Sequence, residues 1–381
     1  MKWDGLRVHF GSDDLLPVWV ADMDFESPDC VKEALSKLVG LNVYGYYQVP
    51  DGYYNAFIEW EKKYHDYEVK REWLSFMPGV VQALYRLVHC FTDENDSVAV
   101  MTPVYYPFFS AVENSGRNLV KVPLINDAGV YTIDFPLFEK SIAEKDVKMF
   151  ILCSPHNPVG RVWTDEELKR MLDICKKYGV LVVSDEIHHD LIFSDKKQIT
   201  AANAGDYDEI LLMLTSASKT FNLAGCRNAL LIVPDEALRR KYRAFSRRNG
   251  FSSGSAFGYV SGQAAFEGGR AWLDEVLEII KGNYNYLCSA LAETLPKAVI
   301  SPLEGTYLMW IDVSAYMKER DGREGCFDRD TEWFMRDTCR LAVDLGKWFG
   351  GKEYDGFIRI NLATKRENIE EVAARLRLLA E

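Results

Sequence analysis

The stretch Ser216-Ala217-Ser218-Lys219-Thr220-Phe221-Asn222-Leu223-Ala224-Gly225 follows directly on the apolar run Ile210-Leu211-Leu212-Met213-Leu214. A run of this kind, with Asp208 and Glu209 before it and Thr215 and Ser216 after it, predicts a buried strand. Lys219 then emerges at the carboxyl end of that strand, where open α/β sheets collect their ligands. A lone lysine there reads equally as a surface residue or as the partner of a buried acid. Its neighbours narrow the choice. Ser216 and Ser218 are short hydroxyls suited to a phosphate, and Arg227, eight residues on, carries a guanidinium that binds phosphate bidentately.

Working outward, two more apolar runs end in chemistry. Val180-Leu181-Val182-Val183-Ser184-Asp185-Glu186-Ile187-His188 predicts a strand that terminates in a carboxylate, and Met149-Phe150-Ile151-Leu152 a strand that runs into the turn Ser154-Pro155-His156-Asn157-Pro158-Val159-Gly160. A lysine, hydroxyls and an arginine at one strand end suit a Schiff base to pyridoxal 5′-phosphate (PLP), and a carboxylate at the next suits its pyridine nitrogen. In order, Asn157, Asp185, Lys219 and Arg359 resemble the signature of the fold-type I PLP enzymes, the aminotransferase class I/II group, from about residue 15 onward. The resemblance implies an α/β fold: a large domain with a mostly parallel, doubly wound sheet, residues 44–285, and a smaller α+β domain from residues 1–43 and 286–381.

Composition agrees with a globular protein and excludes other classes. Of 381 residues, 48% are apolar and 27% charged, and the net charge is −12. That balance argues against nucleic-acid and anionic-membrane surfaces, which reward clustered Lys and Arg. The eight cysteines include no C-x-x-C pair and the six histidines no metal-binding spacing, so neither a disulfide framework nor a metal site is expected. With no signal-like start and no apolar run of membrane-span length, a cytosolic location is expected.

Along the chain, Ser27 is expected to cap a helix with Pro28 at its first position. The string Trp19-Val20-Ala21-Asp22-Met23-Asp24-Phe25 resembles one branch of the family, the MalY/PatB-type cystathionine β-lyases or C–S lyases. That resemblance implies a backbone N–H near Ala21 on the substrate carboxylate. In Tyr44-Gly45-Tyr46-Tyr47-Gln48-Val49-Pro50-Asp51-Gly52, the family's tyrosine that reaches a partner's PLP phosphate corresponds to Tyr46, with Tyr47 the alternative; a homodimer follows. Gly79 precedes a helix patterned Val80, Leu84, Leu87, Val88, Phe91, whose Val80 and Val81 amides match the family's phosphate cup. Tyr105, after Pro103-Val104, matches the ring-stacking residue.

Thr164 and Glu167 form a capping box for a helix that Gly179 stops, and its alternation with strands predicts parallel βαβ units. His188 stands where aminotransferases of this fold commonly carry the tyrosine facing the PLP phenolic oxygen, and resembles the lyase branch. A helix is expected around Thr331–Leu345. In the strand Phe357-Ile358-Arg359-Ile360-Asn361, a buried arginine needs a partner: an amino-acid carboxylate held together with Asn157, or an internal aspartate. Two features depart from the lyase branch. No cysteine or proline follows in Asn361-Leu362-Ala363-Thr364-Lys365-Arg366, and Arg227 is more typical of aminotransferases. The resemblance therefore implies a PLP-dependent C–S β-lyase acting on cystathionine, cysteine or related S-conjugates. An aminotransferase, or a binding protein on this scaffold, stays open.

Overall fold

The computed structural model describes residues 1–193, 198–251, 254–321 and 330–381. Strands β1 (Leu74–Met77), β2 (Ser97–Thr102), β3 (Asn118–Pro123), β4 (Val147–Cys153), β5 (Leu181–Asp185), β6 (Leu211–Thr215) and β7 (Ala229–Ile232) form a central sheet. Their order across it is β1-β7-β6-β5-β4-β2-β3. All pairings from β6 to β3 are parallel, and β7 runs antiparallel to both β1 and β6.

The apolar runs form strands because both faces of the sheet are covered. Along β6, Leu211 and Met213 enter one core while Leu212 and Leu214 enter the opposite one, and Phe150 and Leu152 alternate with Met149 and Ile151 along β4 in the same way. A strand buried on both sides has no reason to alternate polar with apolar residues, hence the unbroken run. Each such side chain contributes about 1.5–3 kcal/mol of burial.

Register gathers the strand ends. Cys153 pairs with Asp185 and Asp185 with Leu214, so β4, β5 and β6 finish level. Asn157, Asp185 and Lys219 therefore share one edge of the sheet. Because β7 runs the other way, its start, just after Arg227, lies at that edge too. Met77 at the end of β1 pairs with Ala229, which brings Gly79 to the same place.

Five helices matter to the site: α1 (Asp51–His65), α2 (Val80–Phe91), α3 (Asp165–Tyr178), α4 (Ala217–Thr220) and α5 (Arg270–Thr294). The Thr164–Glu167 capping box of α3 is complete, and Gly179 ends that helix at φ +66°. α5 runs unbroken through the boundary expected at 285/286. Beyond it, β8 (Val299–Ile300), β9 (Leu308–Asp312), β10 (Asp344–Leu345) and β11 (Phe357–Asn361) form an antiparallel sheet in the order β8-β9-β11-β10. Leu16–Pro17 pairs in parallel with Leu341–Ala342.

Two local expectations are corrected. The helix expected over Thr331–Leu345 is helical only to Thr338, as a turn over Thr331–Trp333 followed by π-helix over Phe334–Thr338. Arg340 then adopts φ +55°, and the buried residues from Leu341 to Leu345 contribute two short strands instead. Ser27 is not a helix cap. The helix starts at Asp29 with Pro28 in the cap position, and the Ser27 hydroxyl donates to the Asn222 carbonyl at 3.4 Å.

Candidate active site

A cavity of ≈430 Å³ opens at the gathered strand ends, within the roughly 300–1,000 Å³ typical of small-molecule sites. Lys219, Asp185, Asn157, Tyr105 and His188 line it, as do Val80, Val81, Ser218, Arg227 and Ala21. Ten residues expected from distant parts of the sequence thus meet in one place. Ser216, Arg359 and Tyr46 do not line it.

Lys219 sits on α4, a single turn launched from the end of β6. Its Nζ donates to the Ala21 carbonyl at 2.6 Å, and the Tyr307 hydroxyl donates to the same oxygen, also at 2.6 Å. Burial holds the Lys219 amine below the ordinary lysine range; Asp22 and Asp185 oppose this shift and Arg359 adds to it. What Ala21 presents to the lysine is thus its carbonyl, where the resemblance implied a role for an N–H nearby.

Asp185 is buried at the end of β5 and accepts from the Ile187 N–H at 3.2 Å. Burial pushes its carboxyl up to about 7, with the Ile187 N–H and Lys219 opposing and Glu186 adding to the shift. His188, three residues on, is also buried. Burial holds its imidazole well below the usual histidine value, and the charges of Lys219, Arg359 and His189 act in the same direction. Its Nδ1 has no partner among the described residues. Tyr105 is tied to the turn after β4 through its N–H, which donates to the Asn157 carbonyl at 3.1 Å.

Opposite these groups, α2 begins at Gly79, whose φ of +146° suits glycine, and no side chain caps its first turn. Helix-start N–H groups lack partners within the helix and carry partial positive charge, so Val80 and Val81 present an anion site to the cavity. Ser216 has a different use: its hydroxyl caps α4 by accepting from the Ser218 N–H at 3.0 Å, and it donates to the Asn228 carbonyl.

Arg359 is buried behind the cavity wall. It donates to the Asn157 side-chain oxygen at 2.8 Å and to Asp344, its register partner on β10. The internal Arg–Asp bridge left open by the sequence is therefore present. The bridge is incomplete, since Arg359 Nε and one Asp344 oxygen have no partner among the described residues. Burial raises Asp344 to about 6 against the pull of Arg359. Tyr46 is fully exposed, clear of its own chain's cavity, and Tyr47 stacks on Tyr259 at 6.5 Å.

Pro78, Gln82, Cys153, Ile187 and Ala224 also line the cavity without having been expected. Each lies within three residues of a motif that was read, so adjacency was the available signal. Tyr307 was missed because nothing in Thr306-Tyr307-Leu308 distinguishes it from a packing residue.

The wall fits PLP. A desolvated carboxylate short of donors, an imidazole nitrogen without a partner, and an uncapped helix start face one space, matching a pyridinium, a phenolic oxygen and a phosphate. An open, mostly parallel sheet with such a lysine at a strand end defines a fold-type I PLP enzyme. The profile of the aminotransferase class I and II family matches residues 15–376. Cystathionine β-lyase PatB of Bacillus subtilis (strain 168) is 37% identical over 382 residues, covering 99% of this chain and 96% of that protein. Protein MalY of Escherichia coli (strain K12) is 30% identical over 377 residues, covering 98% and 94%. The PLP-bound C–S lyase from Staphylococcus hominis superposes with a TM-score of 0.93 at 34% identity, covering 100% of this chain and 95% of that one. The chain belongs to the class I and II aminotransferase family of PLP-dependent enzymes.

Proposed function

We propose that this protein is a PLP-dependent carbon–sulfur β-lyase that converts cystathionine, cysteine or related S-conjugates to a thiol, pyruvate and ammonia. The observation that carries the reading is the 2.6 Å contact between Lys219 Nζ and the Ala21 carbonyl. It sets the Trp19–Phe25 segment, which resembles the lyase branch, directly on the lysine.

When bound, PLP supplies an electron sink that makes the α-hydrogen of an amino acid acidic. Asp185 would hold the ring nitrogen, Tyr105 would offer a flat face, and His188 would serve the phenolic oxygen. The Val80 and Val81 amides, Ser218 and Arg227 take the phosphate. Asn157, steadied by Arg359, orients the substrate carboxylate, which fixes which Cα bond faces Lys219. With its pKa lowered by burial, the Lys219 amine can receive the α-proton at Nζ. The same nitrogen then delivers a proton to the departing sulfur.

An aminotransferase is the second reading, favoured by the presence of Arg227 in the cavity wall. Cystathionine or cysteine should release pyruvate without any added keto acid. Turnover that depends strictly on 2-oxoglutarate, with no pyruvate in its absence, would leave only the aminotransferase. We also assign residues 44–285 to the PLP-binding domain and residues 1–43 with 286–381 to the smaller one. The free thiols suit a reducing, cytoplasmic compartment. Exposed Val43, Tyr44, Tyr46 and Tyr47 support a homodimer in which Tyr46 or Tyr47 serves the partner's phosphate. Sedimentation at assay concentration should find no active monomer.

A further inference from the structure

Behind Lys219, away from the cavity, lies a buried polar group that the reaction does not touch. Asp190, two residues beyond His188, accepts from the Thr220 hydroxyl at 2.7 Å and from Trp60 Nε1 at 3.0 Å. His65 Nε2 lies 2.8 Å from it and His189 Nε2 3.5 Å. The two imidazoles stack at 4.0 Å, His189 meets the Thr215 hydroxyl at 3.2 Å, and Glu61 lies 3.6 Å from His189. The cluster joins three elements. Trp60, Glu61 and His65 come from α1, His189 and Asp190 from the loop that follows Asp185 and carries His188, and Thr220 from the turn that carries Lys219.

That turn cannot set its own orientation. α4 has four residues and is closed by the Phe221 N–H on the Ala217 carbonyl. That bond and the Leu223 N–H on the Ser218 carbonyl are few against several fixed dihedrals, the unfavourable nucleus of a helix, so side-chain tethers help to hold it. Ser216 and Ser218 tie one side of it to the Asn228 carbonyl. Thr220 ties the back to Asp190. Successive helical residues are about 100° apart, so a fixed Thr220 leaves Lys219 turned toward the cavity.

We propose that Asp190 and Thr220 are positioning residues: together they clamp the Lys219 turn to the loop bearing Asp185 and His188, and so set the lysine amine against that carboxylate. Burial opposes a charge on Asp190, but His189 and His65 outweigh it and hold the carboxyl well below its usual range. Burial also opposes a charge on His189, yet Glu61 and Asp190 raise it to about 9. The carboxylate that accepts from Thr220 is thus favoured in its charged form by the imidazoles behind it. The clamp rests on Lys219 and Asp185 serving PLP, as in the reading above, and holds for either lyase or aminotransferase.

Thr220→Val removes the tether at nearly constant volume, and Thr220→Ser keeps the hydroxyl. In the PLP-loaded protein, the visible absorbance of the lysine-bound cofactor is titrated against pH alongside kcat and KM. For Thr220→Val we expect the midpoint to move by about 0.5 pH unit or more. We also expect kcat to fall about 10- to 100-fold with KM within about threefold, and Thr220→Ser to restore both. Asp190→Asn should act in the same direction, and adding Thr220→Val to it should change little further, since both cut one connection. An unchanged midpoint and kcat in Thr220→Val, with or without a lower melting temperature, would overturn the proposal; so would full additivity. If Asp190→Asn does not fold, the Thr220 pair decides the matter. A stoichiometric metal removable by chelator would also overturn it, by making Glu61, His65 and His189 an ion site. Should the unaltered protein turn over neither cystathionine nor an amino donor, the functional reading fails while the absorbance titration still scores the clamp.

Discussion

Asp185, the last residue of β5, and Asp190, in the loop that follows, stand five residues apart, both with buried side chains, and the protein treats them in opposite ways. Asp185 accepts from one backbone N–H, and burial pushes it up to about 7. Asp190 is surrounded by a hydroxyl, an indole N–H and two imidazoles, and is held well below the usual carboxylate range. Burial disfavours charge at both. The difference lies in how many donors and cations the chain itself supplies. A buried carboxylate that is fully supplied is scaffolding, and one left short, beside a cavity, is a receptor for something that brings its own cation.

The largest effect should come from removing the amine that faces the undersupplied carboxylate. Lys219→Ala is expected to lower turnover on the order of 10³-fold or more. Borohydride reduction of the unaltered protein, followed by peptide mapping, should place the pyridoxyl label on Lys219, and a label on another lysine would dissolve the contrast altogether. Next, Asp185→Asn should lower turnover by about 10²- to 10³-fold yet stabilise the PLP-free protein at alkaline pH. The folded-state pKa of Asp185 is raised, so its contribution is fully present below about pH 4 and is lost as pH rises through about 7. The shift corresponds to at most about 4 kcal/mol. Melting should therefore favour the variant at pH 8 and not at pH 4; equal shifts at both would break the comparison.

Asp190→Asn should do the reverse, costing about 3 kcal/mol at pH 8 by removing the buried carboxylate that accepts from Thr220 and Trp60 and faces His65 and His189. A depressed carboxylate stabilises above its unfolded pKa and loses this as pH falls through its folded value, so the deficit should narrow below about pH 4. A deficit constant from pH 8 to pH 3, followed by melting temperature, would show that shape and not charge is what Asp190 provides.

Much of the site was legible because its residues sit at the ends of apolar runs, and a run buried on both faces announces itself. Lys219, Asp185 and Asn157 were each found that way, and the α3 capping box from its local spacing. What escaped depends on pairings between distant segments. Asp344 could not be matched to Arg359 while the stretch holding it read as helix, since only the β10–β11 register sets them opposite. The use of Ser216 as a cap for α4 was hidden because a turn of four residues has no periodicity to read. Glu61, His65, Asp190 and Thr220 are scattered over 160 positions of the sequence, and nothing local distinguishes them from solvated polar residues.

The pairing of Leu16–Pro17 with Leu341–Ala342 has a consequence for the order in which the protein is built. The segment that supplies the Ala21 carbonyl to Lys219 is pinned by Asn361, whose side chain donates to the Val20 and Asp22 carbonyls at 2.6 and 2.7 Å. During synthesis Lys219 is made about 140 residues before Asn361, a delay of roughly 10–30 s at ordinary elongation rates. For that interval the segment across the mouth has its Asn222 ties to Met23 and Phe25 but not those from Asn361. The mouth of the cavity can therefore take its finished form only after the strand bearing Asn361 has been made.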